Sequence, residues 1–359
     1  MSTRPTVYDV AERAGVSIAT VSRVVTNPGA VREATREKVI RAVGELGYVP
    51  SGSARGLAAQ RTDVVGLFLP DHDDTVVQEA PVPVVAPGAP VPVVVDSDHA
   101  PPRSPSLYYD EVLRGAEAEA WRRGFGLMIA AARTGGAAPA TSIAGRVDAL
   151  AVFAGALDDA IVAHIARRIP VVLLAGSGGP DSVDRIGANN VEGMRALVRH
   201  VLESRPPSLA YVDGRAEAPD AADRRAGFRA ALHESGGEAP AVREECGDFT
   251  RASGRAAVER LLAAGLPDAI VCANDQMALG VLDGLAEAGI DVPARVQVTG
   301  FDGIEAGRLA RPRLTTVHQP MHELGRIAVS TLVERLADPS RPARSLILPV
   351  EVLLRESTL

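Results

Sequence analysis

Residues 5–61 read PTVYDVAERAGVSIATVSRVVTNPGAVREATREKVIRAVGELGYVPSGSARGLAAQR, and positions 10–25 within them describe a helix, a tight turn and a second helix. Thr6 followed three positions later by Asp9 has capping-box spacing, with Asp in place of the usual Glu, so a first helix starts there and buries Val10 and Ala14. Gly15 ends it, because a residue without Cβ tolerates the left-handed conformation of a helix stop. Ser17 is placed to cap a second helix, in which Val21, Val24 and Val25 form an apolar stripe at three- and four-residue spacing. The other face carries Ile18, Ala19, Ser22 and Arg23. A recognition helix meets base edges near its start. There Arg23 offers guanine two hydrogen bonds, and Ser17, Thr20 and Ser22 can bond phosphates. Ile18 and Ala19 lack hydrogen-bonding side chains, which leaves apolar contact such as a thymine methyl. Thr6 and Thr26 complete the expected DNA contacts of this segment. A plain three-helix packing unit with an exposed arginine is the competing reading.

The charges are divided along the chain. Residues 1–61 hold nine Arg or Lys against five acids, a net of +4, which leaves −11 on the other 298 residues of a chain whose total is −7. A basic head on an acidic body orients toward phosphate, with binding that weakens as salt rises. Arginine supplies all the basic residues except Lys38, a bias read as genome composition rather than function.

The same stretch resembles the DNA-binding headpiece of the LacI/GalR family of bacterial regulators. DVA at 9–11, AGVS at 14–17, TVSRV at 20–24, TREKV at 35–39 and ELGYVP at 45–50 stand in the family's order and spacing. The resemblance implies an all-α helix-turn-helix headpiece over residues 1–50, a hinge helix or linker over 51–61, and a homodimer on a pseudopalindromic double-stranded operator. Ala54 and Leu57 fall on the family's hinge pattern, with Leu57 as the implied minor-groove wedge that unstacks a base step. Gly56 stands where Ser is usual, at a cost of about 0.5–1 kcal/mol in helix propensity. Arg32 replaces the Ser or Thr usual at a helix start, so that helix lacks a cap.

Composition bounds the remainder. A chain of 359 residues with 46% hydrophobic content can bury a large core in two or three domains. Neither an 18-residue apolar run nor a signal peptide is visible, so a cytoplasmic protein without membrane contact is expected. Cys246 and Cys272 cannot make a zinc site between them and read as reduced thiols. No nucleophile–base pair is apparent: His164, His200, His233, His318 and His322 are scattered, and GSGG at 176–179 lacks the Lys of a phosphate loop. Neither enzyme activity nor a cofactor or metal is expected.

Beyond residue 62, apolar segments at 64–69, 126–131, 149–153, 170–174, 209–212, 269–272 and 297–300 alternate with helical stretches such as 111–123, 192–202, 224–234, 253–264 and 276–288. That alternation predicts parallel sheets covered by helices, with ligands at the carboxyl ends of the strands. This region resembles the family's periplasmic-binding-protein-like α/β core of two doubly wound lobes, through GDFTRASG at 247–254, CANDQMALG at 272–280, VTGFD at 298–302 and LTTVHQPMHELGR at 314–326. The resemblance implies a first lobe of about 62–188 and 319–346, and a second of about 189–318 and 347–359. It also implies effector-binding residues. Arg224 falls at the ligand-clamping Arg position, Asp302 at that of an Asp accepting ligand hydroxyls, and Tyr108 and Tyr109 at the family's cleft-lining aromatics. Asn189 and Asn274 offer donors and acceptors, and Phe249 a stacking face. Each has a structural alternative, an Arg–Asp pair between lobes or a core Phe.

One segment departs from the family pattern. After VVGLFLPD, residues 72–105 insert a Pro-rich stretch in which APVPVV occurs at 80–85 and again at 89–94. Alternating Pro forbids helix and central-strand pairing, which predicts an extended surface loop. A lid or docking arm and a tolerated low-complexity insertion both remain open. The combined reading is a repressor of sugar or glycoside genes, its operator affinity set by a small molecule, a carbohydrate by family precedent, in the interlobe cleft. The alternative is a catabolite-type regulator answering to a protein partner or a non-sugar metabolite such as a nucleobase.

Overall fold

The computed structural model describes residues 5–26, 28–48, 61–70, 87–89, 107–131, 137–176, 178–236 and 240–359. The expected hinge contacts Ala54 and Leu57, the side chain of Thr26 and nearly all of the 72–105 insertion lie outside the described residues. The chain divides into two units, Met1–Asp63 and Val64–Leu359.

The first unit packs α1 (Val7–Ala14), α2 (Ile18–Thr26) and α3 (Glu33–Leu46). Local chemistry sets its boundaries. The Thr6 backbone N–H and hydroxyl both donate to Asp9 Oδ2, at 2.6 and 2.7 Å, fixing the start of α1. Gly15 ends it at φ 65°, and Ser17 Oγ accepts from the Thr20 N–H at 3.2 Å to open α2. Val10, Ala11, Val21, Val24, Val39 and Ala42 close the core between the three helices. Arg32 precedes α3 without a side-chain cap.

The second unit holds two sheets. The first is built from β1 (Val64–Leu69), β2 (Gly126–Ala131), β3 (Ala149–Phe153), β4 (Val171–Leu174), β5 (Asp184–Ala188) and β11 (Ser345–Leu348), all parallel, in the order β11-β5-β4-β3-β1-β2. Helices α4 (Leu107–Arg122), α5 (Ala137–Ala144), α6 (Asp159–Ala166) and α12 (Met321–Ala337) cover it. The second sheet orders β12 (Glu351–Leu353), β10 (Thr315–His318), β9 (Gln297–Asp302), β8 (Ala269–Cys272), β6 (Ser208–Val212) and β7 (Ala241–Glu245), with only β12 antiparallel. Its helices are α7 (Asn190–Glu203), α8 (Pro219–Glu234), α9 (Arg251–Ala264), α10 (Asp275–Glu287) and the short α11 (Glu305–Leu309).

Every residue of β3, β4 and β8 is buried, as expected for strands covered on both faces. The edge strands β2 and β7 keep exposed residues instead. Strands β5, β7, β10, β11 and β12 have no counterpart among the apolar runs read from sequence; DRIGA and AVREE are too polar for that pattern. The chain crosses between lobes three times, between Ala188 and Asn190, between His318 and Met321, and between Leu348 and Glu351. The third crossing falls just after Leu348, close to the expected 347, because Leu348 still pairs with Ala188 in the first sheet.

Helices α4 and α12 meet at two glycines. A Cβ on Gly115 would lie 1.9 Å from the His322 carbonyl oxygen, and one on Gly325 would lie 1.9 Å from that of Val112. The backbones touch where the side chains are missing.

Candidate effector cleft and DNA-reading helix

The two sheets direct the carboxyl ends of their strands toward one interlobe space, where the strand order of each reverses, β1 beside β3 and β6 beside β8. At the end of β9, Asp302 has φ 127° and is 4% exposed. From α8, Arg224, 3% exposed, pairs with it at 3.2 Å. Arg224 also donates from Nε to Asn190 Oδ1 at 2.9 Å and from Nη1 to the Ala273 carbonyl at 2.7 Å. Its guanidinium lies 3.9 Å from the Phe301 ring centre, within cation–π range. Asn190 donates onward to Asp220 Oδ1 at 2.7 Å, and Gln319 Nε2 donates to Asp302 at 2.7 Å. The result is one continuous polar chain, Asp220–Asn190–Arg224–Asp302–Gln319, running from α8 to the second interlobe crossing.

Burial pushes Asp302 up to about 7 from the ordinary 3.8, with the Arg224 charge opposing and Asp275 adding to the rise. Asp275 is itself pushed up to about 6 by burial, although it accepts from Thr316 Oγ1 at 2.5 Å and from the Ile304 and Gly303 N–H groups at 2.9 and 2.8 Å. Asp275 is thereby spent on holding the end of β9. A carboxyl whose folded-state pKa exceeds the unfolded one binds its proton more tightly when folded. Its stabilising contribution is therefore present at about pH 4 and below and is lost as pH climbs to about 7. Relative to Asp302→Asn, the wild type should lose unfolding free energy steadily across that window. Urea melts at half-unit pH steps measure it, and parallel pH curves for the two proteins would reject the shift.

The first lobe contributes aromatics. Tyr108 and Tyr109 stand edge-on at 4.9 Å near the start of α4, and Tyr109 meets Phe153, at the end of β3, at 4.9 Å. Among the described residues, the buried Tyr108 hydroxyl has no hydrogen-bond partner. Burial, followed by the charge of Asp220, holds it far above the ordinary tyrosine range. A buried hydroxyl without a partner costs about 1–3 kcal/mol, which a ligand or water atom would offset.

The remaining expected residues are distributed unevenly. Phe249, at φ 72°, packs the tip of its ring against Gly214, where a Cβ would lie 2.1 Å from it, and its ring centre stands 5.9 Å from the Arg224 guanidinium. Asn274 spends its amide on structure: Oδ1 accepts from the Met277 N–H at 2.9 Å to cap α10, and Nδ2 donates to the Phe249 carbonyl at 3.0 Å. Asn189 takes part through its backbone, its N–H bonding the Leu348 carbonyl at 3.1 Å; the neighbouring Asn190 carries the side-chain contact to Arg224. Sequence reading omitted Asn190, Asp220, Gln319, Phe153 and Phe301. Only Gln319 carried a signal, its position at an expected crossing. Ala175, Phe249 and Asp302 all have positive φ at strand or loop ends facing this space, conformations that cost energy and cluster at ligand sites.

In the first unit, Ile18, Ala19, Ser22 and Arg23 are exposed along α2. The Ser17 and Thr20 hydroxyls bond each other at 2.9 Å, so the start of the helix is ordered by its own side chains. The Arg23 guanidinium is exposed and has no bond among the described residues. Among the described residues, no cluster of metal-ligating side chains is present and no helix is long and apolar enough to cross a membrane.

Residues 6–51 match the model of the bacterial regulatory proteins of the lacI family, and residues 198–358 that of the periplasmic binding protein-like domain. The chain is 30% identical to the catabolite control protein A of Priestia megaterium over 363 residues, covering 98% of this chain and 99% of that protein. It is 31% identical to the HTH-type transcriptional repressor PurR of Erwinia tasmaniensis, over 95% of this chain and 93% of that one. Among solved structures it is similar to the lac repressor dimer bound to operator and the anti-inducer ONPF, with a TM-score of 0.79 at 28% identity, covering 99% of this chain and all of that one. It is likewise similar to the complex of the transcriptional regulator CelR with cellobiose, with a TM-score of 0.68 at 30% identity over 99% of this chain and all of that one.

Proposed function

Because the chain belongs to the lacI family of bacterial regulatory proteins, and is thus a DNA-binding regulator rather than an enzyme, we propose that it is a homodimeric repressor of sugar or glycoside utilisation genes. Two headpieces related by two-fold symmetry match a pseudopalindromic operator. A small molecule in the interlobe cleft sets their affinity for it.

The observation that carries the effector reading is the charge state of the cleft. Arg224 is already balanced by Asp302 and tied to Asn190 and Ala273, so an anionic ligand would have to displace a buried pair. A neutral ring bearing hydroxyls meets no such opposition. It would lay apolar faces on Tyr109 and Phe249 and give the Tyr108 hydroxyl its missing partner. The similar CelR structure holds cellobiose. Gln319 bonds Asp302 from the crossing that leads into α12, so a ligand that shifts Asp302 pulls on the connection between the lobes. Such a ligand acts only if it binds the open and closed lobes unequally.

Thermal unfolding against a carbohydrate and nucleoside panel tests this, followed by mobility shift on duplexes selected from a random library. A sugar or glycoside should raise the melting temperature and alter the shift. The likeness to a catabolite control protein favours one other reading, a catabolite-type regulator whose core answers to a protein partner or to a non-sugar metabolite such as a nucleobase; indifference to every sugar selects it. On the DNA side, Arg23→Ala should reduce discrimination at one guanine of the operator roughly 10- to 100-fold, the worth of a bidentate pair. Binding to an operator series mutated one base at a time reads this, and unchanged base preference would remove Arg23 from the reading surface.

A further inference from the structure

We propose that the core carries a second small-molecule site, at the second and third lobe crossings, which binds a small organic ammonium ion by its positive charge and its apolar body.

A cavity of about 370 Å³ lies there, toward the lower end of the roughly 300–1,000 Å³ typical of small-molecule sites. Both lobes build it. His318 ends β10 and Glu351 begins β12, and the two are register partners in the second sheet. Leu348 ends β11 in the first sheet, and Pro349 follows it into the crossing. Pro320 precedes α12, on which Glu323 and Ile327 stand one turn apart and so share a face. None of these residues belongs to the polar chain or to the aromatic pair of the effector cleft.

The lining has an apolar part and an acidic part. Pro320, Ile327, Leu348 and Pro349 offer hydrocarbon, and Glu323 and Glu351 bring carboxylates. Glu323 Oε2 is held by the Arg326 guanidinium at 2.7 Å, while its Oε1 lies 3.7 Å from His322 Nδ1. The Arg326 hydrogen bond holds the Glu323 carboxyl below the usual carboxylate range, so it is charged at neutral pH. Glu351 is exposed and has no ion pair or hydrogen bond among the described residues. Elsewhere in the core, exposed acids such as Glu234, Glu244 and Glu356 are clamped by Arg199, Arg229 and Arg313. A lone glutamate at a strand start is ordinarily only solvated; Glu351 differs in sharing a cavity with four apolar side chains.

This lining selects among ligand classes. Two carboxylates oppose an anion, and among the described residues no set of side chains converges to hold a metal ion. A sugar would find no Phe, Tyr or Trp face and no side-chain amide in the lining. An ammonium group on a hydrocarbon body uses both parts, its charge beside Glu351 and its methylenes on the Pro, Ile and Leu side chains.

One strand end joins the cavity to the cleft. His318 is the register partner of Asp302, and the Gln319 N–H bonds the Asp302 carbonyl at 3.1 Å. A Cβ on Gly303 would lie 2.5 Å from His318 Nδ1, so the imidazole packs on the backbone that follows Asp302. An occupant resting on His318 and α12 therefore bears on the crossing whose Gln319 bonds Asp302, and it touches both lobes at once.

Calorimetric titration of the full chain at low salt and neutral pH tests the site, with hexylamine, methylamine and 1-hexanol as probes. Hexylamine should bind at one per chain. Methylamine has the charge without the hydrocarbon and should bind at least about tenfold more weakly, since each buried methylene is worth about fourfold. 1-Hexanol has the hydrocarbon without the charge and should bind about fivefold more weakly, the upper worth of an exposed ion pair. Glu351→Gln should weaken hexylamine binding by a similar about fivefold, and the charge reversal Glu351→Lys by more. Glu259→Lys makes the same change of net charge at an exposed position of α9 and should leave the affinity unchanged. Melting curves establish that each variant is folded, and the Glu351→Gln result stands if the lysine variant is not. The proposal falls if hexylamine does not bind, if methylamine or 1-hexanol matches it, or if Glu351→Gln binds it as the wild type does. Equal weakening by Glu351→Lys and Glu259→Lys would also overturn it, because the amine would then be answering to the overall charge of an acidic protein.

Discussion

Arg224→Ala should destabilise the core by about 3–5 kcal/mol, the range for deleting one partner of a buried ion pair. The guanidinium is 97% shielded from solvent and touches Asp302, Asn190, Ala273 and the Phe301 ring at once. Its removal leaves the Asp302 carboxylate buried against Gln319 alone. Asp302 is already pushed up to about 7 by burial, so in the variant it should take up a proton at neutral pH, which limits the loss but does not restore the bonds to Asn190 and Ala273. Two controls follow from this account. The double replacement Arg224→Met with Asp302→Asn, which removes both charges with little change in volume, should recover much of the stability, because desolvation opposes a buried pair as strongly as attraction supports it. Arg224→Lys should remain deficient, because an ammonium cannot span Asp302 and Asn190 as a planar fork does. Urea unfolding followed by circular dichroism measures all three. An Arg224→Ala loss below about 1 kcal/mol, the size seen for exposed pairs, would mean that the cleft is wetter than its packing indicates.

Gly325→Ala adds one methyl group and should cost about 3 kcal/mol or more, the upper end of overpacking. Its Cβ would arrive 1.9 Å from the Val112 carbonyl oxygen and 2.8 Å from the Ala116 nitrogen. These are backbone atoms of α4 with no rotamer to move aside, so the helices must separate by more than an ångström. Interiors packed to crystal density do not absorb such a shift. Gly44→Ala, in α3, is the matched control: nothing lies within 4 Å of its added Cβ. That change should be neutral or stabilise the headpiece by up to about 1 kcal/mol through helix propensity. Thermal unfolding of the pair decides, and a Gly325→Ala protein that melts with the wild type would show that α4 and α12 are not in backbone contact. Helix α12 leaves the second crossing two residues after Gln319, so the same variant should also weaken any effector response that survives.

Legibility in the sequence followed the range of the interactions. The helix-turn-helix was readable because its determinants sit within a few residues of one another: Thr6 with Asp9, Gly15 at φ 65°, and Ser17 with Thr20. The buried strands β3, β4 and β8 were readable because a strand covered on both faces must be apolar throughout. Strands β5 and β7 were not. Their sequences are polar, and they form because Arg185 and Glu244 find register partners in Ser345 and Tyr211. In the cleft, family resemblance pointed to Arg224, Asp302 and the Tyr108–Tyr109 pair, which the fold brings together, but it could not distinguish Asn189 from Asn190. Nor could it show that the amide of Asn274 is occupied as a helix cap.

By itself, then, the sequence determined the headpiece and the alternation of strands and helices, because caps, glycine stops and apolar periodicity act over one or two turns of chain, while the approximate places where the chain changes lobe came from the family resemblance. Tertiary structure alone decided the cleft's polar chain, its Arg224–Asp302 pairing, the buried Tyr108 hydroxyl and the glycine contact of α4 with α12. Each of these joins residues that are distant in sequence, and whether they meet depends on strand register, helix crossing and the closure of one lobe on the other.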